Sequence, residues 1–296
     1  MNSFTINLFT AVMVGNGYKG TARVFLFFFF SSFCLANCAQ SYSVVGTYKD
    51  QSAQGMAIYE KYAFLFNNTG ICRIYNIETK KVEREFNLES SGKNHCNSVS
   101  FGVEKKKGSK FPVIYISQCN APYKCFVESI TDTSSILVQT IYVNRLGINK
   151  IVHDWVVDRK NRALYSITDF SWKEKGVDYP HVITKYRLPK LSDGALIALT
   201  DEDVVESFGI SFPNLLQGAS IQGDYLYLPT GRNGVDNRED AKREVIIVNL
   251  RTRVLEDKIN LMYITENEPE DCDFYKGNLL VYCGQEGGLY EVQINH

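Results

Sequence analysis

The segment Gln54-Gly-Met-Ala-Ile-Tyr-Glu-Lys-Tyr-Ala-Phe-Leu65 returns far downstream as Gln217-Gly-Ala-Ser-Ile-Gln-Gly-Asp-Tyr-Leu-Tyr-Leu228. A Gln-Gly pair, an Ile, a Tyr and a closing Leu fall at matching positions. The residues downstream of each copy also match: Tyr75-Asn-Ile-Glu-Thr79 answers Val248-Asn-Leu-Arg-Thr252, and Asn87-Leu88 answers Asn260-Leu261. A unit of short strand-like runs that recurs at this distance predicts a radial array of sheets, because one such unit cannot bury its apolar faces alone.

The runs sort into units of four. The first reads 55–59, 62–66, 71–77 and 82–88; the second 95–101, 113–117, 124–130 and 136–143. The third reads 153–157, 163–168, 182–188 and a vaguer strand near 204–208, and the fourth 218–222, 225–229, 244–250 and 254–261. The fifth supplies three runs only, 272–275, 279–283 and 289–294, while the strand-like stretch at about 42–48 belongs to no unit. Pairing that stretch with the C-terminal sheet completes the unit and removes the open edges of a linear array. The expectation is an all-β, five-bladed β-propeller of four-stranded antiparallel blades over residues 40–296, its last blade closed by the N-terminal strand. A pair of β-sandwiches is the rival, and it leaves the distant repeat unexplained. Short helical turns are expected near 192–203.

Lys19 and Arg23 precede an apolar run of 12 residues from Val24 to Leu35, too short to span a bilayer and suited to a signal-peptide core over residues 1–39. Leu35-Ala36-Asn37-Cys38 resembles a lipobox, which would anchor the protein through a lipid on Cys38; cleavage after Cys38 or Ala39 is the other reading. Both predict an exported protein, in the periplasm or at the outer membrane or cell surface. Beyond that segment, 30 basic residues face 33 acids, which argues against a nucleic-acid partner. The expected assembly is a monomer. Six cysteines remain, and Cys119 and Cys125 bracket a Pro-containing turn whose spacing fits a hairpin-closing disulfide. No CxxC pair exists, no metal is expected on the sulfurs, and no motif calls for a cofactor.

Aligning the units by their first strands places Gln54, His95, His153, Gln217 and Glu270 at one position. In a propeller the first strand lies innermost, so these polar residues are expected to ring one mouth of the central channel. Strand parity sets the loops between second and third strands on the same face. The two longest, 169–181 and 230–243, bring Trp172, Tyr179, Arg232, Arg238 and Arg243 over the ring. Asn97 and Asp154 stand beside the ring positions, and Asp154, Glu270, Asp271 and Asp273 supply carboxylates near the axis. Asp154, Glu270 and Asp271 are the catalytic candidates, since paired carboxylates serve glycosidic cleavage. Gln54, His95, Asn97, His153, Asp154, Gln217, Glu270, Arg232 and Trp172 are the ligand-binding candidates, for a glycan or peptide. Channel-mouth polar groups also commonly satisfy backbone or hold water, which is the plainer reading. Lys105–Lys107 and Lys110 fall on the opposite face. Gly-rich phosphate loops, GxSxG elbows and HExxH helices are absent from the sequence.

At His95-x-Asn97-Ser-x-x-Phe101, His153-Asp-Trp155, Gln217-Gly218 and Glu268-Pro-Glu270 the chain resembles exported propeller proteins of unknown function from Bacteroidetes. More broadly it is similar to the TolB-like or quinoprotein-like propellers. The resemblance implies the fold and a place outside the cytoplasm, and no particular activity. The expected function is capture of a glycan or peptide at the polar mouth, with a carbohydrate-active hydrolase or lyase at the same mouth as the alternative.

Overall fold

The computed structural model describes residues 42–46, 48, 53–131, 133–145, 151–174, 176–212, 215–232 and 242–293, without the side chains of 42, 44, 46 and 169–174. The expected signal segment and Cys38 lie outside the described residues.

The first blade is β2 (Ala53–Tyr59), β3 (Tyr62–Asn67), β4 (Ile71–Asn76) and β5 (Lys81–Asn87). The second is β6 (Val99–Phe101), β7 (Ile114–Ser117), β8 (Cys125–Ile130) and β9 (Ser135–Val143). The third is β10 (Val152–Asp158), β11 (Ala163–Glu174), β12 (Val177–Arg187) and β14 (Val204–Ile210). The fourth is β15 (Ser220–Gln222), β16 (Tyr225–Thr230), β17 (Glu244–Asn249) and β18 (Val254–Asn260). The fifth is β19 (Pro269–Tyr275), β20 (Asn278–Cys283) and β21 (Gly288–Val292), completed by β1 (Tyr42–Gly46). The closing strand pairs antiparallel, with Tyr42 opposite Val292 and Val44 opposite Tyr290. The ring therefore closes as the leftover N-terminal strand demands.

Blades packed face to face bury both sides of their middle strands, so these strands read as continuous apolar runs rather than alternations. All of β8 and β17 is buried, whereas the outermost strands β5 and β18 each bury one residue. The core is accordingly split into five clusters, each filling the wedge between two neighbouring blades. The wedge between the fifth and first blades unites Met56, Leu65 and Tyr75 with Leu280, Tyr282 and Leu289, which binds the two ends of the chain by packing as well as by pairing.

The sequence repeat has a local cause at the turns before the outermost strands. Asn76 Oδ1 accepts the amides of Glu78 and Thr79 at 3.0 and 3.1 Å, and Asn249 Oδ1 accepts those of Arg251 and Thr252 at 2.9 and 3.0 Å. Each Asn also donates Nδ2 to a glutamate on the outermost strand, Glu83 at 2.7 Å and Glu256 at 2.6 Å. Such side-chain turns hold the backbone where a bare loop would not. Asn67 makes the same kind of turn toward Thr69 and Ile71, so its buried side chain holds backbone.

Two connections differ from expectation. The stretch 169–181 is not an open loop: β11 and β12 run on as a hairpin, with Trp172 opposite Tyr179 and Glu174 opposite Val177. The expected helical turns are the short 3-10 segments Leu191–Asp193 and Asp201–Asp203. Between them β13 (Leu196–Leu199) lies parallel to β9 and widens the second blade to five strands. Gln139 secures it by donating Nε2 to the carbonyls of Lys190 and Gly194. Among the described residues no helix is long and apolar enough to cross a membrane.

Candidate functional site

Strand register identifies which residues face the axis at equal depth. Met56 pairs with Leu65, Val99 with Ile116, Trp155 with Ser166 and Cys272 with Val281. The amides of Met56, Val99, Ala219 and Cys272 all point at the same carboxylate, that of Asp271. Two residues before each lie Gln54, Asn97, Gln217 and Glu270, with His153 in the remaining blade. Asn97 thus holds the ring position in the second blade that sequence alignment assigns to His95. Cys96, with φ of +58°, kinks the chain ahead of β6, so a count running straight from His95 is two residues out of phase with the strand.

One step deeper, the axis narrows. Gly55, Ser98, Asp154, Gly218 and Asp271 share this layer, and it has no room for five side chains. A Cβ at Gly218 would stand 2.5 Å from Asp271 Oδ1 and 2.6 Å from the Glu270 carbonyl oxygen. A Cβ at Gly55 would stand 2.5 Å from the Cys96 carbonyl oxygen. The Gln-Gly pairs that announce the repeat are thus a mouth residue followed by an axis residue without a side chain.

The freed space goes to Asp271. Its Oδ2 accepts Met56 N–H at 2.8 Å and Val99 N–H at 3.1 Å; Oδ1 accepts Ala219 N–H at 3.2 Å and Cys272 N–H at 2.8 Å. Burial, with Asp154 nearby, pushes this carboxyl above its ordinary range, and the Met56, Cys272 and Val99 amides pull it down. Four inward N–H groups occupy every lone-pair site of a carboxylate, and a protonated acid would lack one of them, so this geometry suits the ionised form. Of the three catalytic candidates, Asp271 is the one spent on backbone. It ties four blades together and plugs the channel at mid-depth. Asp154, at the equivalent position of the third blade, is fully buried and accepts Asn97 Nδ2–H at 2.8 Å.

Above that plug the expected mouth residues do gather. Gln217 donates Nε2–H to the Gly231 carbonyl at 3.0 Å and also to Glu268. Glu270 is only 6% exposed and lies against Gly284. Burial, and secondarily Glu268, raises its pKa well above the usual carboxylate range. Among the described residues no hydrogen bond reaches its carboxyl. Cys119, on the connection between β7 and β8, is pushed up to about 12 by burial, with Asp154 and Glu270 both adding to the rise. Residues from the second, third and fifth blades therefore converge electrostatically at this mouth. Gln54, His95 and His153 are half-buried there. The His95 amide donates to Gln118 Oε1 at 2.5 Å, and burial lowers its imidazole pKa, so the ring is neutral at neutral pH.

The loop residues divide. Tyr179 lies on Gly209, where a Cβ would meet its Cδ2 at 2.5 Å, so the ring is occupied in holding the hairpin against β14. Arg232 is exposed, and Arg243 donates Nε–H to the Thr265 carbonyl at 3.0 Å. The Trp172 side chain and residues 233–241, with Arg238, lie outside the described residues.

The disulfide expectation is overturned. Cys119 and Cys125 are free thiols, as are Cys72, Cys96, Cys272 and Cys283. Cys125 is buried within β8 facing the wedge toward the third blade, away from Cys119 in its loop. Burial raises all six thiols, which leaves none activated as a nucleophile. Among the described residues no three His, Cys, Asp or Glu side chains are grouped to hold a metal ion.

The other end of the channel carries no sequence motif, yet it holds a further, half-buried acid. There Asp273 accepts Ile58 N–H at 2.6 Å, Phe274 N–H at 2.8 Å and Ser220 Oγ–H at 3.1 Å. Burial outweighs these bonds and raises it from an ordinary 3.8 to about 6. Its stabilising contribution is complete below the unfolded value near 3.8 and is lost as pH climbs through about 6. Thermal midpoints of wild type and Asp273→Asn should therefore shift relative to each other over that window, against the wild type as pH rises. A difference that stays flat from about pH 4 to pH 7 would refute the assignment.

No protein-family model and no curated protein matches the chain. Among solved structures, the chain is similar to the glutaminyl cyclase of Myxococcus xanthus, with a TM-score of 0.52 and 12% identity, over 86% of this chain and 94% of that one. At that identity the likeness shows the propeller fold.

Proposed function

We propose that the protein is an exported, monomeric bacterial propeller that binds a glycan or peptide at the mouth framed by Gln54, Asn97, His153, Gln217 and Glu270. Glu270 carries this reading: a carboxyl almost wholly out of water, held above its ordinary range and given no hydrogen bond by the described residues. A carboxyl so placed has no partner among the described residues to give up, and a ligand hydroxyl or amide would supply the hydrogen bond it lacks. The Glu270 carboxyl accepts, the His95 ring and the amide side chains beside it both donate and accept, and sugars and peptides present both partners. Export rests on Lys19, Arg23 and the apolar run to Leu35, with a lipid on Cys38 or simple cleavage nearby as its two forms. Kinship with the exported TolB-like or quinoprotein-like propellers belongs to the same proposal.

Glycan and peptide arrays probed with wild type and Glu270→Gln test the site. Expected is a loss of at least about tenfold in affinity, with a thermal midpoint equal to or above that of wild type, since the substitution removes a strained group. Equal binding by the variant, or no capture by wild type on either array, overturns the proposal.

The same carboxyl supports a second reading, as a general acid in a hydrolase or lyase, because proton transfer needs a pKa lifted toward neutrality. That the structural neighbour is an enzyme is consistent with it. Turnover of the captured ligand by wild type and not by Glu270→Gln would establish it; recovery of the ligand intact would exclude it.

A further inference from the structure

At the end of the channel away from the polar ring, the last residues of the first strands enclose a cavity of about 500 Å³. That lies within the roughly 300–1,000 Å³ typical of small-molecule sites. Its walls carry opposite charges on different blades. Arg159 and Lys160 occupy the turn between β10 and β11, and Asp273 stands on β19. The Arg159 guanidinium lies over the Tyr59 ring, 5.6 Å from its centroid, which holds it toward the axis. It is also close enough to Asp273 to act on that carboxyl. Neither Arg159 nor Lys160 has an ion-pair partner among the described residues, so both cations remain available.

Asp273 is available in part. Ile58, Phe274 and Ser220 take three of its four lone-pair sites, which leaves one for a donor from the cavity. The other acid in the wall, Asp158, is almost wholly buried and accepts the Asn161 backbone N–H and Nδ2–H at 2.9 and 2.7 Å, so Asp273 is the more exposed carboxylate of the two. Between the charged groups the lining is mixed, with Val103, Ile221 and Phe274 beside Ser100, Ser220 and Gln222. Two exposed cations and one accessible carboxylate match a molecule with a carboxylate and an ammonium close together, its hydrocarbon portion covered by Val103, Ile221 and Phe274. A polyanion would meet Asp158 and Asp273, and a simple amine would meet the two cations.

We propose that this second mouth binds an amino-acid-sized zwitterion, its carboxylate held by Arg159 and Lys160 and its ammonium by Asp273. The Asp271 plug separates it from the ring around Glu270, so the two sites are independent.

Isothermal titration calorimetry of the full chain with free L-amino acids tests this, with acetate, inorganic phosphate and butylamine as single-charge probes. Apolar amino acids should bind, and each single-charge probe should bind at least about tenfold more weakly. Arg159→Ala and Lys160→Ala, both at exposed turn positions, should each weaken binding by about tenfold while the protein stays folded at the assay temperature. Glu270→Gln should leave it unchanged, which separates this site from the other mouth. The proposal fails if no amino acid binds, if acetate or phosphate binds as well as the zwitterion, or if Arg159→Ala with Lys160→Ala binds as tightly as wild type.

Discussion

Asp271→Ala should lower stability by about 4 kcal/mol or more, the largest loss expected from any single truncation at the axis. The change leaves the amides of Met56, Val99, Ala219 and Cys272 pointing into a space without an acceptor. Each buried amide so orphaned costs on the order of 1–3 kcal/mol, reduced where the backbone can turn it elsewhere. Strands packed on both faces have little freedom to turn. For a domain of this size about 4 kcal/mol corresponds to a fall of roughly 8–16 °C in thermal midpoint. Asp271→Asn should fall between, because it keeps one acceptor oxygen but aims an amino group at incoming N–H groups. A drop below about 3 °C for the alanine variant would show that the four-blade tie contributes little.

Gly218→Ala should cost about 3 kcal/mol or more, an effect at the upper end for overpacking. The added methyl would stand 2.5 Å from Asp271 Oδ1 and 2.6 Å from the Glu270 carbonyl oxygen. One of those neighbours is backbone and the other is anchored by four amides, so neither yields cheaply. Because part of the strain is against the Asp271 carboxylate itself, the two substitutions should not be additive. The double variant Gly218→Ala with Asp271→Ala should be more stable than the summed single losses require, by more than the roughly 0.5 kcal/mol scatter of independent sites. Denaturant midpoints of the four proteins measure this directly, and strict additivity would place the two residues out of contact.

The same crowding explains why the Gln-Gly repeat is visible at all. A mouth residue followed by a side-chain-free axis residue is required where five strands meet, and similar constraints produce similar dipeptides in the first and fourth blades. The Asn76 and Asn249 turns recur for an equally local reason. Where crowding is met differently, the signal fades. The second blade uses Asn97-Ser98 after a kink at Cys96, so His95, the most conspicuous polar residue nearby, draws the alignment two positions astray. The hairpin at 169–181 carries only a short alternation, Phe170 and Trp172 answered by Val177 and Tyr179, and its many polar residues with Gly176 read as a loop.

The site divides along the same line. That Glu270, Gln217 and His153 share one mouth, with Asp154 one layer deeper, follows from strand parity and ring closure. Which carboxylate is left without a hydrogen bond from the described residues does not, because Asp271 and Glu270 are neighbours in sequence and differ only in which way each points. One faces inward to four amides and the other toward Gly284 without a bond. The opposite cavity is still less legible, since Arg159, Ser220 and Asp273 come from three blades and form no motif in the chain.

The number of blades, the strand that closes the ring and the end of each first strand that faces the polar mouth can all be read along the chain, because periodicity and the need to bury edges dictate them. Which polar groups the fold consumes and which it leaves unbonded emerges only in the closed ring. Hydrogen-bond saturation at the axis is decided among amides and carboxylates that meet only when distant blades come together around it.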